Sequence, residues 1–288
     1  MHSHWQSQVP EHPITTETLA RFNQKAALVD SIIWEDSEWT EGVLDGLADL
    51  AATIRNERPD QDLIPNLRSF RIRCNSDSGI NATIPWISRS IVRMDIVMGL
   101  SVGDETSSRL LEAVGKSAKI VSLSIRTENF TLSHRRLTME TMLAVIKSLP
   151  RLENVTIPLY VSSGVYLGAL AAAPYLKELS LSVVDTDPRI GSSLLQGSTQ
   201  QDPMDLEGFS ELRGLSRFHS LETLRIAGSW DDVVDIVKAT SPPHIVELHL
   251  AVPSLEHNQV GRAVCDILSL CQPRCLSIEN LLYTHIPC

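Results

Sequence analysis

Apolar residues recur along the chain in one short spacing, apolar-x-x-apolar-x-apolar, often with a proline two residues before its first position. The pattern reads Pro65-Asn66-Leu67-Arg68-Ser69-Phe70-Arg71-Ile72 and then Pro150-Arg151-Leu152-Glu153-Asn154-Val155-Thr156-Ile157. It returns as Pro174 with Leu176, Leu179 and Leu181, and as Pro243 with Ile245, Leu248 and Leu250. Without the proline it stands at Val29/Ile32/Trp34, Ile91/Met94/Ile96, Ile120/Leu123/Ile125 and Leu221/Leu224/Ile226. Pro273/Leu276/Ile278 makes a degenerate ninth copy, with proline in the first apolar slot. The last two apolar positions alternate as in a strand with one buried face, so each copy predicts a short strand.

At 43% hydrophobic content the bare triplet is expected in about 8% of windows. Requiring the proline lowers the expectation to about one instance in the chain, and there are four. First positions fall at 29, 67, 91, 120, 152, 176, 221, 245 and 273, in steps of 38, 24, 29, 32, 24, 45, 24 and 28. Most of these lie in or near the range of strand–helix repeats, with the longer steps readable as insertions.

The segments between the triplets predict helices. Ser229–Thr240 carries Asp231 and Asp232 at its start and Lys238 near its end, as the helix dipole favours, and Ser241-Pro242-Pro243 stops it. Asp104–Lys116 has the same polarity and an apolar face at Leu110, Leu111 and Val114. Comparable helices fit Gly42–Asn56, Thr138–Ser148, Ser162–Ala173 and His257–Cys271. Units of one strand and one helix cannot bury their faces alone and gain a core by stacking.

These residues resemble leucine-rich-repeat proteins of the strand–helix kind, and specifically the irregular repeats of fungal F-box-like proteins. The carriers are the stretches ending at Ile157, Leu181 and Ile226. The asparagine or cysteine that the family places three residues after the third apolar position has one match, Asn75; Gly99, Tyr160 and Ser229 stand at that place in other copies. The resemblance implies an α/β leucine-rich-repeat-like solenoid of about nine irregular repeats, with a curved parallel sheet on the concave side and helices on the convex side. Residues 27–288 form this domain, preceded by a polar, partly disordered segment over 1–26 and interrupted by a loop insertion near 187–204. Leu212 and Leu215 are a candidate stump of one more strand. An F-box, which docks a Skp-family adaptor, is expected to be absent: 28 residues precede Val29, and Pro13 obstructs a helix there. A Skp-family adaptor is therefore not an expected partner.

Charge narrows the function classes. Asp and Glu number 35 against 25 Lys and Arg, a formal charge of −10, which argues against a general nucleic-acid binder. No apolar run approaches the roughly 20 residues of a bilayer-spanning helix, and the start lacks the basic and apolar regions of a secretory signal. An intracellular protein, cytoplasmic or nuclear, that binds neither nucleic acid nor membrane is the expectation. The five cysteines form no Cys-x-x-Cys pair and read as buried reduced thiols.

If the apolar strand positions face the core, the residues between them face solvent on the inner, concave surface. Those positions hold Arg71, Arg73, Arg93, Asp95 and Arg126 in the early repeats, and Arg225 and His249 in the later ones. Four arginines with one acid among them suit an acidic patch on a protein partner, held through arginine–carboxylate pairs; pairing with acids on adjacent strands is the plainer alternative.

Motifs for chemistry are sparse. Gly115-Lys116-Ser117 ends like a phosphate-binding loop, but Leu110 stands where that loop needs glycine. His2 and His4 are a weak metal pair on a terminus. Asn81, Asn129 and Asn154 open glycosylation-type triplets that carry meaning only in an exported chain. No cofactor and no metal is expected. The leading expectation is a non-enzymatic scaffold that binds a protein partner on the concave strand face, either free-standing or as a truncated F-box-type substrate receptor; the alternative is an enzyme whose site assembles only in three dimensions.

Overall fold

The computed structural model describes residues 15–37, 39–58, 61–127, 135–159, 164–183, 218–240, 244–252 and 257–280. They belong to two compact units, one within 1–149 and the other within 150–288. The sequence predicts one domain over 27–288. The triplet passes 149/150 unchanged, with Pro150 itself opening a copy, so its periodicity carries no mark of that division.

The first unit alternates helices and strands: α1 (Thr16–Ala26), β1 (Ser31–Glu35), α2 (Glu41–Glu57), β2 (Ser69–Ser76), α3 (Asp77–Thr83), a 3-10 turn (Ile84–Trp86), β3 (Arg93–Ser101), α4 (Asp104–Gly115), β4 (Ser122–Thr127) and α5 (Arg135–Ser148). Its strands pair in parallel in chain order, with Ile32, Phe70, Met94 and Leu123 in one register row and Trp34, Ile72, Ile96 and Ile125 in the next. From β2 to β4 these rows, with the first-slot residues Leu67, Ile91 and Ile120, are at most 1% exposed.

The second unit repeats the plan with β5 (Asn154–Leu159), α6 (Gly164–Ala171), β6 (Glu178–Val183), β7 (Thr223–Ala227), α7 (Trp230–Thr240), β8 (Glu247–Val252), α8 (His257–Leu270) and β9 (Cys275–Asn280). These strands too are parallel and in chain order, aligning Val155, Leu179, Leu224, Leu248 and Leu276 in one row and Ile157, Leu181, Ile226, Leu250 and Ile278 in another. The nine described strands thus sit on the nine triplets, and the fold is α/β with parallel strands.

One backbone arrangement explains the uneven spacing of the triplet. At the entries of β2–β4 and β6–β9 the two residues between its first and second apolar positions donate both their N–H groups to a single carbonyl of the preceding strand's copy. Arg68 and Ser69 donate to Asp30 O at 2.8 and 3.0 Å, and Val92 and Arg93 to Arg68 O at 2.8 and 2.9 Å. The same holds for Lys177 and Glu178 on Glu153 O, Glu222 and Thr223 on Lys177 O, Val246 and Glu247 on Glu222 O, and Arg274 and Cys275 on Val246 O. Two successive N–H groups turned to one acceptor break the strict alternation of a strand, so period two begins only after them.

The strand exits of the first unit carry a buried carboxylate. Asp36, 6% exposed, accepts from the Asn75 N–H at 2.9 Å, from the Ser76 N–H at 3.2 Å and from the Ser76 hydroxyl at 2.9 Å. The Ser76 oxygen in turn accepts the Gly79 N–H at 3.0 Å and caps α3. Gly79 has no room for a side chain, because the Asp36 carboxylate occupies the place of a Cβ. Nearby Cys74 is buried, and burial pushes its thiol up to about 12, with the Asp36 charge adding and a Thr83 hydrogen bond opposing.

Three expectations need correction. Residues 16–26 form helix α1 rather than part of a polar, partly disordered segment: Thr15 caps it, and Leu19 and Ala26 are buried at a seven-residue spacing that the polar composition obscures. Helix α3 lies in a stretch for which the sequence predicts no helix. Of the cysteines, Cys74 and Cys271 are buried as expected, whereas Cys265 and Cys275 are exposed. The insertion near 187–204, Leu212, Leu215, His2, His4, Asn129 and Cys288 lie outside the described residues.

Candidate binding face of the strands

The outward positions of β1–β4 fall into three register rows. Ser31, Ser69, Arg93 and Ser122 form the first; Ile33, Arg71, Asp95 and Ser124 the second; Glu35, Arg73, Val97 and Arg126 the third. All five early-repeat residues singled out from sequence therefore share one face. Glu35 joins them as a second acid, opposite Arg73. The alternation that found the others also reaches Glu35, once it is extended back to the Val29 copy.

Asp95 is the joint of this face. Arg71 donates from Nε to its Oδ2 at 3.0 Å, and Arg126 donates from Nη2 to Oδ1 and Oδ2, each at 3.0 Å. The aspartate side chain is 22% exposed and each arginine side chain 57%. Burial raises the Asp95 carboxyl, but the Ser124 hydroxyl, the hydrogen bond and charge of Arg126 and the charge of Arg71 outweigh it and hold the group below its ordinary value. Arg93, two residues earlier on the same strand and face, is exposed, and its side chain takes no ion pair or hydrogen bond with a described residue. Around these side chains lies an open depression of about 410 Å³, lined by Arg71, Arg93, Asp95 and Arg126 and by the serines at 31, 69, 122 and 124.

The face of β5–β9 differs in charge. Its rows are Asn154, Glu178, Thr223, Glu247 and Cys275; Thr156, Ser180, Arg225, His249 and Ser277; and Pro158, Ser182, Ala227, Ala251 and Glu279. Arg225 pairs with Glu178 at 3.4 Å, and His249 lies 3.3 Å from Glu247 on its own strand. Both residues take the plainer role of pairing within the face, and a shallow depression of about 260 Å³ beside them also meets Glu279.

The remaining motifs resolve structurally. Gly115 ends α4, and the buried Ser117 donates its hydroxyl to Ser88 O at 3.1 Å. Asp231 and Asp232 occupy the first turn of α7, whose Asp232 N–H is accepted by Ser229 Oγ at 3.3 Å. Among the described residues no group of three or more His, Cys, Asp or Glu side chains is placed to hold a metal ion. No described helix is long and apolar enough to cross a membrane.

No protein-family model matches the chain, and no curated protein does either. Among solved structures it is similar to proline utilization A (PutA) of Bradyrhizobium japonicum, with 15% identity and a TM-score of 0.33. That alignment covers 93% of this chain and 28% of the PutA chain.

Proposed function

We propose that the protein is a non-enzymatic interaction module, built as an irregular leucine-rich-repeat-like solenoid, that holds an acidic segment of a protein partner on the outward face of β1–β4. The parallel strands in chain order, one to each triplet, support the repeat reading. The observation that carries the function is the gathering of Arg71, Arg73, Arg93 and Arg126 on one exposed face against Asp95 and Glu35, in a chain whose formal charge is −10. Guanidinium forks suit carboxylates and related anions.

Binding is favoured over chemistry because the depression's one carboxylate is committed to two arginines and held below its ordinary value. Arginine stays protonated, so neither partner of that pair exchanges a proton readily near neutral pH.

The test is affinity purification from cells with the wild-type chain and the double variant Arg71→Glu/Arg126→Glu, with circular dichroism confirming that both fold. The expected result is a defined set of captured proteins that the double variant loses; capture untouched by charge reversal overturns the reading. A Skp-family adaptor or a cullin in that set would tie the chain to a ubiquitin ligase, whereas their absence would leave a free-standing scaffold.

A further inference from the structure

The depression on β1–β4 has a more specific chemistry than general acidity. Its rim brings three guanidiniums, from Arg71, Arg93 and Arg126, together with four serine side chains at 31, 69, 122 and 124. Arg71 Nε and Arg126 Nη2 each lie 3.0 Å from the same Asp95 oxygen, so they are no more than about 6 Å apart. The Nη atoms of Arg71 and the Nε and Nη1 of Arg126 are not used in those bonds. The Arg93 side chain takes no ion pair or hydrogen bond with a described residue. Set against the one aspartate, the three arginines leave a local charge of two positive units.

A lone carboxylate brings one negative charge and two acceptor atoms, fewer than this site can serve. A phosphoryl group brings about −1.5 to −2 at pH 7 and three acceptor oxygens. Asp95 fixes two of the forks before any ligand arrives, which lowers the ordering cost of binding. We propose that this depression is a subsite for a phosphoryl dianion, carried on a side chain of the protein partner or met as a free anion. The inference rests on the reading of this face as a binding surface.

The probes are three model peptides, Gly-Ala-X-Ala-Gly with X phosphoserine, glutamate or serine, together with inorganic phosphate, each titrated into the full chain by calorimetry. The phosphopeptide should bind roughly tenfold or more tighter than the glutamate peptide, in line with the strength of charge-assisted forks. Its affinity should rise between about pH 5 and 7.5 as the second phosphate proton leaves near pH 6. Arg93→Gln disturbs no bond to a described residue and should keep the fold while weakening the phosphopeptide several-fold. Inorganic phosphate binding as tightly as the peptide assigns the site to a free anion; a tighter peptide assigns it to a protein side chain. Equal affinity for phosphoserine and glutamate, or an Arg93→Gln variant that binds like wild type, overturns the proposal. If cellular capture still depends on Arg71 and Arg126 in that event, the interaction reading stands without the subsite; loss of both dependences removes both.

Discussion

Replacing Asp95 by asparagine keeps the shape of the side chain and removes the charge that Arg71 and Arg126 share. A carboxyl held below its ordinary value in the fold adds stability above its unfolded pKa and loses it as pH falls through the lowered, folded value. Acid unfolding of the wild type should therefore include a component below about pH 4 that Asp95→Asn lacks. The pair is half-exposed on the arginine side, so at pH 7 the variant should lose only about 1 kcal/mol in urea unfolding. An unchanged acid limb would show that the two arginines do not stabilise Asp95 in solution. Most residues of this face were legible in the sequence because strand alternation is strict. Their pairing was not: Arg225 with Glu178, and Arg126 with an aspartate one register row away, depend on how separate strands align, which no single strand records.

Among the elements, the strands were the most legible, since each has its own triplet, fully buried from β2 to β8 and only partly so at β1 and β9. Helix α1 was hidden because most of its positions are polar, and only Leu19 and Ala26 show the buried stripe. Helix α3 was hidden by its shortness and by its start, which depends on Asp36 from another strand's end. The shared carbonyl at the entry of β8 makes its own prediction. Val246 donates its N–H to Glu222 O at 2.8 Å while its side chain is partly exposed. Val246→Ala should change stability by less than about 0.5 kcal/mol. Val246→Pro removes the donor and should cost about 2 kcal/mol or more. Equal melting of the two variants would show that this bond does not hold β8 in place.

At the scale of the whole molecule, net charge misleads about local charge. The chain is strongly acidic, yet four arginines and two carboxylates share the face of β1–β4, while Glu178, Glu247 and Glu279 outnumber Arg225 on that of β5–β9. The composition gave no hint of this division, because it sums over both units and their helices. A partner held by the basic face should dissociate as salt rises from about 0.1 M to 1 M, where the screening length falls from about 10 Å to 3 Å. Surface plasmon resonance on the captured partner measures this; salt-independent affinity would point to an apolar contact, for which the 65% exposed Ile33 beside Arg71 is the nearest side chain.

The doubly used carbonyl at the entries of β2–β4 and β6–β9 has a consequence for which letters the chain can write there. The bonds run through the main chain, so the side chains at those slots are released from any duty to the register. Asp30, Arg68, Val92, Glu153, Lys177, Glu222, Val246 and Arg274 stand at the equivalent place, mixing both charges with valine. Only proline, which has no N–H to give, is shut out of the two donor slots, and it gathers instead a few residues upstream at Pro65, Pro150, Pro174 and Pro243. The alphabet is open at the entries of the strands and closed on their buried side, so new surface chemistry can be written there without re-drafting the core.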